Sequence, residues 1–104
     1  MGFLDFIYRN HEKKLKLYLK KGAIILDIRD EKDFKKEGIF GAKNIPLEEL
    51  QYNIHIIKQW QKPVIVCAEN GTMSNQGAKF LFLENIEAIS GGGYKRLQYI
   101  LSSI

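Results

Sequence analysis

Short apolar runs that alternate with helical patterns constrain the fold of this chain more than any other feature. The runs at 23–28, 64–66 and 87–89 are too short for helices, and the first two are rich in the β-branched residues that strands prefer. A fourth short strand is predicted at 42–45. Strands that alternate with helices at this spacing predict an α/β fold, with a mostly parallel sheet covered by helices on both faces.

The segments between these strands repeat apolar residues at helical spacing. Their bounds follow from four residues: Gly22 ends the first helix, Asp30 and Ser74 can each cap the start of one, and Pro46 fixes the entry to another. We expect Phe82 to face inward in the helix that Ser74 begins. The predicted helices are 3–20, in two pieces, then 31–36, 47–60, and two that begin at 74 and 94.

The length of 104 residues predicts one domain, divided into an N-terminal helical extension, 1–21, and a core, 22–102. A composition of 45% hydrophobic and 27% charged residues is typical of globular proteins. The single cysteine excludes an intrachain disulfide and favours a reducing compartment, so the expected location is cytoplasmic. No apolar run is long enough to span a membrane, and the N-terminus lacks the features of a secretory signal.

The net charge of +4 comes largely from lysines between positions 13 and 21. Such a cluster can favour an acidic partner or an anionic membrane surface, so peripheral contact through residues 1–20 is one interpretation. The interpretation we favour is a solvated helix face, with the early apolar cluster Phe3–Ile7 packed on the domain's own sheet. Basic and aromatic residues are not interleaved as in RNA- or DNA-binding surfaces, so no nucleic-acid partner is predicted.

The only cysteine, Cys67, directly follows the central strand and precedes a loop that contains Gly71. Open α/β sheets bind ligands at the carboxyl ends of their strands, where the N–H groups of a loop and a helix start stabilise an anion. A thiolate held in such a place has a lowered pKa and is nucleophilic. We therefore predict that Cys67 is reactive. The alternative is a buried cysteine that only fills the core.

Two further segments are predicted to meet Cys67. The carboxyl ends of parallel strands lie at one edge of a sheet. Asp27 stands at the end of the first strand, and Gly91–Gly93 is predicted to form a turn after the last one. We expect Asp27, Cys67 and this turn to line one pocket.

Three sequence blocks occur in a specific order and spacing. They are Ile25–Arg29, followed by Phe34 and by Gly38–Pro46; then Val64–Cys67; and finally Ile89–Tyr94. Together they resemble the rhodanese-like domains of the sulfurtransferase superfamily, over about residues 22–102. The resemblance implies a sheet of about five mostly parallel strands flanked by helices.

The resemblance also implies a chemistry for Cys67. The thiol would accept sulfane sulfur as a persulfide, from a small donor such as thiosulfate or from a persulfide protein, and pass it to a thiol acceptor. Asp27 and Arg29 match the family's Asp-x-Arg and are expected to form an ion pair beside the site. No cofactor or metal is expected, because His11, His55 and one cysteine do not make a zinc site. The residues expected to bind the transferred sulfur through backbone N–H groups are Ala68, Glu69, Asn70, Gly71, Thr72 and Met73.

The loop departs from the family's pattern, Cys-x-x-Gly-x-Arg-Ser. Gly71 and Ser74 each come one place late, which predicts a seven-residue loop from Cys67 to Met73. Met73 stands where the arginine is expected, so an anionic donor lacks its charge-assisted partner. The family's phosphatase relatives also have a histidine before the cysteine, where this chain has Val66, which argues against phosphatase activity. The predicted function is thiosulfate sulfurtransferase-like transfer or sulfur carriage through Cys67; the alternative is a catalytically weak or inactive rhodanese-like binding module.

Overall fold

The computed structural model describes residues 2–104, and Met1 lies outside the described residues. The strands are β1 (Ile24–Asp27), β2 (Lys43–Asn44), β3 (Val64–Ala68) and β4 (Ala88–Gly93). The helices are α1 (Phe3–Lys20), α2 (Glu31–Lys36), α3 (Ile54–Gln59), α4 (Gly71–Leu83) and α5 (Tyr94–Ser103), with a 3-10 helix at Leu47–Tyr52. The strands form a parallel sheet in the order β2-β1-β3-β4. The predicted α/β fold is confirmed, with four strands in this sheet where the resemblance implied about five.

The central strand β3 is buried at all five of its residues. Successive side chains of a strand point to opposite faces of the sheet, so β3 contributes to two separate hydrophobic clusters. Val66 packs in one cluster with side chains of α3 and α4. Ile65 and Cys67 pack in the other, with side chains of α1 and α5. Helices on both faces are what makes a nearly continuous apolar strand stable here.

Helix α1 is one continuous helix, so the predicted break into two pieces is wrong. Its predicted end at Gly22 is confirmed. The Gly22 N–H donates to Leu19 and the Ala23 N–H to Tyr18, and Gly22 has a φ of +80°. Glycine adopts this left-handed conformation without the steric cost that a Cβ brings, which is why it ends helices of this kind.

The apolar start of α1 does not pack on the sheet, contrary to the prediction. Leu15 and Tyr18 are buried in the second half of the helix, whereas Phe3 is 77% exposed and Phe6 is also exposed. The helix has 18 residues and is therefore about 27 Å long, while the five-residue strand β3 spans only about 17 Å. Its first turns extend beyond the sheet. Among the described helices, none combines the length and apolar composition needed to cross a membrane.

The helix predicted at 47–60 is divided in two. A 3-10 helix covers Leu47–Tyr52 and α3 covers Ile54–Gln59, with Asn53 between them at a φ of −121°. The apolar stripe is nevertheless used as predicted, since Leu50 and Ile57 are buried in the same cluster.

Two predictions at the last strand and at α4 are also wrong. Gly91–Gly93 belongs to β4 and is not a turn after it, and the pairing with β3 shifts register between Val66 and Cys67. Gly92 has a φ of +87°, which suits a glycine at this irregularity. Phe82, predicted to face inward, is 67% exposed, while Leu81 beside it is buried.

Candidate functional site

The sheet brings three of the predicted residues side by side. Cys67 of β3 pairs in register with Asp27 of β1 on one side and with Gly92 of β4 on the other. The predicted meeting of these residues at the carboxyl ends of parallel strands is therefore confirmed. The shared pocket is not, because the cavity that Gly92 lines includes neither Asp27 nor Cys67 among its lining residues.

The side chain of Cys67 lies inside the core. It is 0% exposed and belongs to the cluster that includes Ile39, Ile65 and Tyr94. The core residues of α4, including Ala78, pack in the cluster on the opposite face of the sheet. Cys67 alternates with Val66 along β3, so its thiol is on the face away from the helix whose N-terminus was expected to activate it.

The surroundings of Cys67 stabilise the neutral thiol. Burial, which removes the solvation of the thiolate, and the negative charge of Asp27 together raise the pKa of Cys67 from 9.0 to about 12. Arg29 has the opposite effect but does not compensate. The predicted lowering of the Cys67 pKa is therefore wrong.

The predicted seven-residue loop is also absent. Cys67 and Ala68 are strand residues and α4 begins at Gly71, so only Glu69 and Asn70 connect β3 to α4. Asn70 caps the helix in place of Ser74: its Oδ1 accepts a hydrogen bond from the Met73 N–H at 2.9 Å.

The residues that were expected to bind sulfur differ in their exposure to solvent. Ala68 is buried, Met73 is half-buried, and the others are exposed on the connection and on the first turn of α4. The carbonyl of Asn70 also accepts a hydrogen bond from the Ser74 N–H at 3.1 Å, which is the first regular bond of the helix. The core side chains of α4 pack on one face of the sheet, and the Cys67 side chain packs on the other. A role of Ala68–Met73 in binding sulfur stays a prediction.

The predicted ion pair between Asp27 and Arg29 is present and buried. Arg29 Nη2 donates to Asp27 Oδ2 at 2.8 Å, and the Arg29 backbone N–H donates to Oδ1 at 2.9 Å. Arg29 Nη2 also donates to the Glu37 carbonyl at 2.6 Å. Burial opposes the charge of Arg29, but the hydrogen bonds and the charge of Asp27 outweigh it and raise the pKa of Arg29. The pair joins the end of β1 to the segment that follows α2.

Tyr94 is a further residue of this site that the sequence did not indicate. It is buried at the start of α5, and the Arg29 guanidinium lies 3.6 Å from the centre of its ring. A cation over an aromatic face is attractive, the more so where water is excluded. Its position directly after the glycine run was the only signal. Asp27, Arg29 and Tyr94 thus form a closed polar cluster beside Cys67, with Arg29 already bound on several sides.

Ser74 joins α4 to β4 instead of capping the helix. Its Oγ donates to the Gly71 carbonyl at 3.0 Å and lies 2.5 Å from Ser90 Oγ. Ser90 Oγ also accepts a hydrogen bond from the Gly92 N–H at 3.2 Å. His11 lies in the middle of α1, where its Nε2 donates to the Ser90 carbonyl at 2.8 Å. His55 is exposed on α3.

Comparisons with known proteins agree with this fold. The sequence profile of the rhodanese-like domain matches residues 11–102. The uncharacterized protein YqhL of Bacillus subtilis is 32% identical over 76 residues, which are 71% of this chain and 60% of that protein's length.

Solved structures give the same picture at lower identity. A rhodanese-related protein of Thermoplasma volcanium superposes with a TM-score of 0.67 at 22% identity, covering 88% of each chain. Reduced CoADR-RHD of Bacillus anthracis superposes with a TM-score of 0.69 at 20% identity, covering 88% of this chain but only 16% of that one. At such identities the likeness concerns the fold.

Proposed function

This chain belongs to the rhodanese-like domain family, and from that premise we propose that it is a binding module in which Cys67 serves as a core residue and not as a sulfur acceptor. The observation that carries the proposal is the burial of Cys67, which is 0% exposed in the cluster between the sheet and α5. A sulfur donor has to reach the thiol, and the burial of this side chain supports the proposal that it does not.

The electrostatics support the same conclusion. With a pKa of about 12, only about one Cys67 thiol in 10⁵ is ionised at neutral pH, and the thiolate is the nucleophile. The position at which the family's pattern has an arginine holds Met73, so no guanidinium stands there to attract an anionic donor. Arg29, the cation that acts on the pKa of Cys67, is bound by Asp27 and stacked on Tyr94.

Sulfur transfer through Cys67 is the second candidate, and the position of Cys67 at the carboxyl end of β3 favours it. In that reaction the thiolate attacks the outer sulfur of thiosulfate, a new S–S bond forms, and sulfite leaves with the electrons of the broken bond. The thiolate of an acceptor then takes the sulfur and releases Cys67. Side chains of the cluster that holds Cys67, such as Ile39 or Tyr94, would have to move for the donor to enter.

Intact-mass measurement separates the two candidates. The native chain is incubated with thiosulfate and, separately, with a low-molecular-weight persulfide donor. We expect no gain of about 32 Da, the mass of one sulfur atom, because the thiol is neutral and covered. Iodoacetamide should modify Cys67 only after the chain is unfolded in urea.

The variant Cys67→Ser is the control, since it shows whether any added mass resides on the thiol. A persulfide that forms on the folded wild-type chain and is absent from Cys67→Ser would overturn the proposal in favour of sulfur transfer.

A further inference from the structure

Two neighbouring cavities run along the open edge of β4, between α1 and α4. Their volumes are about 660 and 670 Å³. They share four lining residues and therefore adjoin each other, and we call the two cavities together the edge groove. The shared residues are Lys14, Phe82, Ala88 and Ile89. The first cavity continues to Gly92 and the second to Glu87, so the groove follows most of the strand.

The floor of the edge groove is the backbone of an edge strand. β4 is the last strand in the sheet order and pairs with β3 on one side. Glu87 accepts a hydrogen bond from the Val64 N–H, so it directs its carbonyl towards β3. Because backbone groups alternate in direction along a strand, those of Ala88 and Ser90 face the groove. The Ser90 carbonyl already accepts a hydrogen bond there, from His11 Nε2.

The walls of the edge groove differ in chemistry along its length. Around the Gly92 end the lining includes His11, Lys79 and Arg96, and none of the described residues that line this cavity is acidic. Towards the Glu87 end, Phe82 and Leu83 are exposed along the wall. Glu87 itself is paired with Lys21 at 3.0 Å.

We propose that the edge groove binds an extended peptide segment of a partner protein, which adds to β4 as a further strand. This proposal names the partner of the binding module proposed above, and it rests on that function. Residues 87–92 span about 16 Å, which accommodates about five residues of an extended chain. Because His11 already bonds to the Ser90 carbonyl, backbone hydrogen bonds to Ala88 and to the Ser90 N–H hold such a segment, and the pockets select its side chains. Lys79 and Arg96 favour acidic residues at one end, and Leu83 favours an apolar residue at the other.

The test uses a phage-displayed library of random ten-residue peptides selected on the full chain, followed by fluorescence anisotropy with the enriched peptides. We expect enriched sequences that combine acidic and apolar residues and contain no proline in their central positions. The variants Lys79→Glu and Ala88→Pro should each raise the Kd at least about tenfold. Ala88→Pro removes an N–H that faces the groove, and an edge strand tolerates proline in such a position.

Lys32→Glu, on the exposed surface of α2, is the matched control and should leave the Kd unchanged. Thermal unfolding shows whether Ala88→Pro folds; if it does not, Lys79→Glu and Lys14→Glu decide the result. The proposal is overturned if no peptide is enriched, if Lys79→Glu leaves binding unchanged, if a single-stranded oligonucleotide binds more tightly than the peptides, or if sedimentation shows that a second copy of the chain occupies the groove.

These outcomes are separate from the test of the proposed function. If Cys67 is unreactive and no peptide is selected, the binding module is supported and the proposed peptide partner is refuted. If Cys67 forms a persulfide and the chain also binds acidic peptides, the non-catalytic role of Cys67 is refuted and peptide binding at the edge groove is supported.

Discussion

At the scale of single residues, the reactivity of Cys67 depends on the face of β3 to which its side chain points. The position of Cys67 at the end of β3 is the one that open sheets use for ligands, but the pleat turns its side chain towards Ile65 and Tyr94. Ala68, the next residue, is buried on the opposite face with the core side chains of α4. A shift by one residue would thus move the thiol from the cluster with Tyr94 to the cluster with α4, although both positions are buried.

The buried thiol predicts a specific pH dependence of stability. Below about pH 9 the thiol is protonated in both the folded and the unfolded chain, and its ionisation does not affect folding. Between about pH 9 and 12 the unfolded chain releases the proton while the folded one keeps it, so the free energy of unfolding falls, by up to about 1.4 kcal/mol per pH unit. Urea unfolding of the wild type and of Cys67→Ala measures this fall.

Wild type and Cys67→Ala share every other titrating group, so the contributions of those groups cancel when the two are compared. The difference in unfolding free energy between wild type and Cys67→Ala should shift against the wild type by about 2 kcal/mol from pH 8 to pH 10.5. A difference that stays constant over this range would show that the thiol ionises in the fold as readily as in the unfolded chain.

The buried ion pair predicts a large effect of a small substitution. Asp27→Asn keeps the size of the side chain but leaves the Arg29 guanidinium without its counter-charge in the core, which should lower the free energy of unfolding by about 3 kcal/mol. Urea unfolding at neutral pH measures it. Glu31→Gln is the matched control, because it breaks the exposed pair with Lys35 and should leave the urea midpoint unchanged. Equal effects of the two substitutions would contradict the prediction.

At the scale of elements, the close approach of α4 to the sheet depends on Gly77. A Cβ on Gly77 would lie 2.7 Å from Ile28 Cδ1 and 3.1 Å from Val66 Cγ1, so the absence of a side chain lets the helix approach the sheet. Ser74, one turn earlier, holds the same helix to Ser90 of β4. Close packing and this hydrogen bond together fix the start of α4, and with it the short connection from β3.

Gly77→Ala should therefore destabilise the chain. Alanine is the better helix former by about 1 kcal/mol, but overpacking against Ile28 costs about 1–3 kcal/mol, so we expect a net loss in the free energy of unfolding. Gly71→Ala is the matched control, since a Cβ there meets nothing within 4 Å, and it should be neutral or slightly stabilising. Thermal and urea unfolding of both variants give the comparison, and a stabilised Gly77→Ala would refute the close approach.

At the scale of the whole molecule, the structure divides α1 into an anchored half and a projecting half. Leu15 is buried in the cluster beneath α1 and α5, whereas Phe3 and Phe6 are exposed on the turns that extend beyond the sheet. The projecting half lies largely outside the region that matches the rhodanese-like domain, which begins at residue 11.

This division predicts unequal effects of substitutions along one helix. Leu15→Ala should lower the free energy of unfolding by about 2–5 kcal/mol, because it leaves a cavity in the core. Phe6→Ser should change it by less than about 0.5 kcal/mol, because the side chain is already in contact with water. Urea unfolding measures both, and a large loss for Phe6→Ser would show that the first turns of α1 are packed after all.

The arrangement of the sheet was largely predictable from local pattern. Short β-branched runs between helical repeats indicated parallel strands, and parallel strands bring Asp27, Cys67 and Gly92 to one edge. The Asp27–Arg29 pair was expected from the family's Asp-x-Arg pattern, in which the two residues are only two positions apart at the end of β1. These features depend on residues close in sequence and on general rules of sheet geometry.

The chemistry of the site was decided by contacts between distant parts of the chain. Asn70 and Ser74 are both able to cap a helix, and the hydrogen bond of Ser74 to Ser90, 16 residues away, accompanies the choice of Asn70. Which face of β3 carries the thiol depends on where α1 and α5 pack. The sequence alone determined the parallel α/β sheet and the residues at its carboxyl edge, because backbone geometry and apolar spacing are local. Only the tertiary structure decided that Cys67 is buried and that the edge of β4 is open, because solvent access is a property of how all the elements pack together.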